Sequence, residues 1–122
     1  MFFQEPSYAA AAAFVLGYDF ACEGGVLHGF REWLIVRLGF GNNLAWSALV
    51  LEVAFPGPGN PLESVHSSSA NEKHAIEVLF QLLREFDEKR GTRDGLRRIF
   101  FEYDRWLTTQ EWYTPGSPGW IE

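Results

Sequence analysis

The chain is poor in the residues that site chemistry usually requires. Its 122 residues include one cysteine, Cys22, so no disulfide can form within the chain. A reducing, cytoplasmic compartment of the bacterial type is the expected location. The three histidines, His28, His66 and His74, show no metal-ligand spacing. There is no Gly-x-Ser-x-Gly elbow, and Gly39-Phe40-Gly41 lacks the lysine and the preceding strand of a phosphate-cradling loop. No catalytic set, no metal and no cofactor is expected. Apolar runs fall short of the roughly 20 residues that a membrane span needs. Residues 44–55 come nearest and contain Glu52. The alanine run Ala9–Ala13 follows no basic segment and is flanked by Glu5 and Asp19, which excludes a signal peptide.

Bases are also scarce. Ten Lys and Arg face sixteen Asp and Glu, for a net charge of −6. Nucleic acid as a direct partner needs a basic face, so this balance argues against it. A basic protein partner is compatible with it, as is simple solubility. What is abundant is apolar surface: 47% of residues are hydrophobic and 16% aromatic. That is enough to offset the ordering entropy of one compact domain spanning 1–122.

Periodicity predicts helices, and no long stretch alternates with the two-residue period of a strand. Pro6 is a good first helical residue, and the first helix runs through Ala9–Ala13 toward Cys22, with Tyr8, Ala11, Val15, Tyr18 and Cys22 on one face. Gly24-Gly25 ends it. A second helix is predicted over Val26–Leu38 with Leu27, Phe30, Leu34 and Leu38 as its stripe. Gly29 within it suggests close approach by another helix. Asn42 or Asn43 is expected to cap a third helix, apolar nearly all round from Leu44 to Phe55 and therefore central. A buried strand is the rival reading for Ala48–Phe55. Residues 56–70, rich in proline, glycine and serine, read as one long flexible loop. Ser69-x-x-Glu72 is a capping-box pattern opening a fourth helix to Lys89, and Asp94 precedes a fifth with Leu96, Ile99, Phe100, Tyr103 and Leu107 in phase. Residues 114–122 read as an irregular tail. The fold expected is all-α, a single bundle of about five helices.

Few polar residues stand out. Cys22 and His28 lie near Asp19 and Glu23, a set that reads as capping and surface residues in preference to a metal site. Glu52 interrupts the run Leu49-Val-Leu-Glu-Val-Ala-Phe55. Either it lies on a wet edge of its helix, or it is buried and pairs with Arg31 or Arg37. Asp19 and Glu23, and Asp104, Glu111, Trp112 and Tyr113 nearer the C-terminus, are the candidate partner-binding residues. Acids beside exposed aromatics are what an interaction surface uses.

The run Gly29-Phe-Arg-Glu-Trp-Leu34, with Asn43-Leu-Ala-Trp46, Leu49-Val50 and Ala54-Phe-Pro56, resembles small bacterial proteins of the immunity type. Leu79-Phe-Gln-Leu-Leu-Arg-Glu-Phe86 and Ile99-Phe-Phe-Glu-Tyr-Asp-Arg-Trp-Leu107 are similar in style. The resemblance is one of general character and carries over no functional residue. It implies a cytosolic, non-catalytic binder that neutralises a toxin domain by covering it. The competing expectations are a ligand binder or enzyme with a pocket around Glu52, and a self-associating subunit built on the fifth predicted helix.

Overall fold

The computed structural model describes residues 7–113, and the expected helix start at Pro6 and the tail 114–122 lie outside the described residues. The described chain is all-α, with six helices and no strand. Helix α1 (Tyr8–Ala21) begins where the Ser7 hydroxyl accepts the amide of Ala10 at 3.1 Å. It ends where Glu23 and Gly24 turn left-handed.

Helix α2 (Phe30–Leu38) starts later than the pattern from Val26 suggests. The cause is Gly29. Its φ of +89° is closed to most side chains, and a Cβ there would lie 2.8 Å from the Leu96 side chain. The glycine therefore marks an elbow pressed against the last helix and is not a helical residue. The close approach expected at this position is present.

Neither Asn42 nor Asn43 caps helix α3 (Trp46–Ala54), whose N-cap is Ala45. Asn42 is drawn into the interior, where Arg31 donates to its carbonyl and Tyr103 to its side chain. The expected loop 56–70 is interrupted by helix α4 (Pro61–His66). Asn60 Oδ1 accepts the Leu62 amide at 3.0 Å, Pro61 supplies a preset first turn, and Val65 anchors the helix in the core. Helix α5 (Ser69–Arg90) is capped one residue earlier than expected, by Ser68 accepting from the Asn71 amide at 3.0 Å. Glu72 thus reaches out to the amide of Tyr8 instead of closing a capping box, with both oxygens 3.4 Å away. Helix α6 (Gly95–Thr108) follows a tight turn. Asp94 stands at its N-cap but makes no side-chain capping bond.

The central element is α5 and not the apolar α3. At 22 residues it is the longest helix, about 33 Å at 1.5 Å per residue, and it touches each of the other five. Its buried face is Ala75, Leu79, Leu82 and Phe86, and Phe80 is exposed. Phe30 of α2 fills the middle of the molecule, with ring centroids 5.3 Å from Phe86 and 6.0 Å from Trp46. Ile99, Tyr103 and Leu107 close the core from α6, as their spacing predicts.

Candidate functional site

Two parts of the surface carry more apolar area than the fold uses. The first is the C-terminal end of α6. Trp112 is 51% exposed and stands edge-on to Trp106, with centroids 6.3 Å apart. The two indoles and Phe40 wall an open cleft of about 280 Å³, with Asn42 and Gln110 also lining it. Asp104 and Glu111 are exposed and form no ion pair with another described residue. Tyr113 is half-buried against the core. Behind the cleft, Asn42 is buried, and its Nδ2 has no hydrogen-bond partner among the described residues. The Tyr103 hydroxyl that donates to its Oδ1 also bonds the Arg31 guanidinium. Burial is the largest influence on the Tyr103 pKa and raises it, and the guanidinium, which lowers it, does not reverse the direction.

The second is α1. Only Tyr8 and Val15 of this helix are buried. Phe14, Leu16, Tyr18 and Phe20 are 68%, 55%, 57% and 85% exposed. At about 100° per residue, the uncovered side chains sweep an arc of roughly 200° with no charge in it. Ala13, Leu16, Gly17 and Phe20, with Asp19, Glu23 and Gly24, line an open depression of about 840 Å³. Sequence reasoning missed this face and assigned Tyr18 and Cys22 to the core side. The signal was there: from Tyr8 to Ala21 the helix has one charged residue, Asp19.

Asp19 and Glu23 do not join the α6 group. The Asp19 carboxylate accepts the amides of Val26 and Leu27 at 3.0 and 2.8 Å, so it holds the turn after α1. That turn is tied to the end of α5, because Arg90 donates to the carbonyls of Gly25 and Val26 at 2.6 and 2.8 Å. It leads into Gly29, which meets Leu96 and Phe100 in the first half of α6. Glu111, Trp112 and Tyr113 lie beyond the other end of that helix, about 20 Å long.

The remaining polar candidates, Glu52 apart, have structural partners. Glu52 is partly exposed and pairs with neither arginine. Arg31 is committed to the carbonyls of Leu44 and Asn42. Arg37 lies 3.1 Å from Glu85 and over the Trp33 ring. The wet-edge alternative therefore describes Glu52. His74 Nε2 is 3.0 Å from the Ala54 carbonyl, His66 is 3.7 Å from Glu72, and His28 packs on Phe100. Among the described residues no three His, Cys, Asp or Glu side chains gather as a metal site, and no helix is long and apolar enough to cross a membrane. Comparison with family models, curated proteins and solved structures finds no match.

Proposed function

We propose that this chain is a protein-binding module, with neutralisation of a bacterial toxin domain in the cytoplasm as its concrete form. The observation that carries this reading is Trp112, half-exposed on the wall of an open cleft, next in sequence to the exposed Glu111 and beyond the helix that carries the exposed Asp104, with neither acid ion-paired to another described residue. A large rigid ring with an apolar body is the side chain most used to anchor protein interfaces. Exposed carboxylates steer a basic partner, and the net charge of −6 extends that steering. The resemblance to immunity-type proteins points the same way.

The test is capture of a partner by the tagged chain, followed by association kinetics. The on-rate should fall steeply as salt rises, because steering acts on encounter and is screened. Reversing both acids, Asp104→Lys with Glu111→Lys, should slow association at low salt and leave Tm nearly unchanged. A wild-type rate in that variant removes this edge as the interface. A small molecule that raises Tm while no protein is captured would favour the ligand-binding alternative.

A further inference from the structure

From the uncovered face of α1 we infer that this chain associates with a second copy of itself, through antiparallel packing of α1 against α1. This surface is separate from the α6 edge and does not depend on the function proposed for it.

Three observations single out a second copy as the occupant. The first is area. An aromatic side chain can bury 150–250 Å², so the uncovered parts of Phe14, Tyr18 and Phe20 with Leu16 come to about 500 Å² per chain. That is at the top of what monomers leave bare. A two-fold contact that covered all of it would remove about 1,000 Å² in total, at the lower bound for a specific interface.

The second is shape. The N-terminal half of α1 is small, Ala9 to Ala13, and the C-terminal half is bulky, Phe14 to Phe20. A two-fold axis level with Val15 sets the bulky end of each copy on the alanines of the other, with Phe14 level with Leu16 beside the axis. Phe20 then meets Ala10 of the second copy, and Gly17 meets Ala13. A Cβ on Gly17 would contact none of the described residues, so the bareness at this position serves no packing among them. A parallel pairing would instead stack bulky on bulky and leave the alanines uncovered.

The third is charge. Asp19 is turned to the Val26 and Leu27 amides, so the exposed arc of α1 itself is uncharged, and the carboxylates of the face, Asp19 and Glu23, lie at the C-terminal end of its depression. A two-fold axis level with Val15 sets Glu23 of each copy against Ser7 of the other, so two chains of net −6 can meet here without opposing carboxylates.

The test is sedimentation velocity of the full chain from low micromolar to about 0.1 mM, a range that detects a micromolar Kd. A reversible monomer–dimer equilibrium is expected. Ala13→Lys, at an exposed helical position, should raise Kd at least tenfold with unchanged helical circular dichroism. Phe20→Ala should weaken the dimer, and adding Ala10→Phe to it should recover most of the loss, because the bulk is returned from the opposite side of the same contact. Reversal of Asp104 and Glu111 should leave the equilibrium untouched. A wild-type chain monomeric over the whole range overturns the inference. So does a dimer indifferent to Ala13→Lys, or a monomer whose α1 face holds an unrelated protein. If Ala10→Phe gives no recovery, the antiparallel pairing is wrong.

Discussion

The Tyr103 hydroxyl donates to Asn42 Oδ1 in the buried seam between α6 and the loop that follows α2. The bond joins residues 61 apart in sequence and fixes the position of a loop that has no helix of its own. Tyr103→Phe keeps the ring and removes the donor. Leaving a buried amide oxygen unsatisfied should cost about 1–3 kcal/mol in a urea melt with unchanged slope. In a double-mutant cycle with Asn42→Ala the two losses should fall short of adding.

Arg31 holds the same loop from the other side, with Nε donating to the Leu44 carbonyl at 2.8 Å and a second nitrogen to the Asn42 carbonyl. Arg31→Ala should destabilise by about 1.5–3 kcal/mol, the range for hydrogen bonds to a charged group. Arg31→Lys should recover little, because an ammonium cannot match the planar fork. Equal stability of the lysine variant and wild type would show that charge alone suffices.

The structure also sets an alkaline limit. Burial raises the Tyr8 hydroxyl pKa well above the tyrosine value near 10, and its proton is donated to the Ser47 carbonyl at 2.6 Å. Above pH 10 the unfolded chain releases this proton while the folded chain keeps it. The native state then binds more protons, so stability falls as pH rises. The contribution is complete below pH 10 and is lost above it. Denaturant melts from pH 8 to 11 should show this decline, and Tyr8→Phe should flatten part of it. Tyr103 is raised in the same direction and accounts for some of the remainder.

Glu52 offers the opposite expectation. It is half-covered on the flank of α3 and meets no arginine, so Glu52→Ala should change stability by no more than about 0.5 kcal/mol. A loss near 3 kcal/mol, typical of breaking a buried pair, would place it inside.

Helical periodicity made the bundle legible, because core positions such as Phe30, Leu34, Leu79, Phe86 and Ile99 repeat in phase. The departures have local causes. Gly29 reads as a helical residue until its φ is known. Asn42 has the side chain of a cap, and only the tertiary partners Tyr103 and Arg31 divert it. Asn60-Pro61 is a good helix start, but the prolines and serines around it mask six helical residues. At the candidate faces, the sequence offered Trp112 and the nearby acids as candidates, but not their separation from Asp19. For α1 the periodicity misled, because alanine and large apolar residues surround the whole helix and no polar face marks the outside.

The seating of α1 has a consequence for how the fold opens. The helix is fastened at its ends, by Tyr8 to Glu72 and Ser47 and by the Asp19 turn held under Arg90. Between them only Val15 is buried. A segment so lightly inserted can detach while the α2, α5 and α6 core stays whole, so its amides should be the first to exchange with solvent deuterium. If a second copy covers it, detachment must also break that contact, and mass action then applies. Amide protection along α1 becomes a reading of how much protein is in the tube, while protection of the core stays constant.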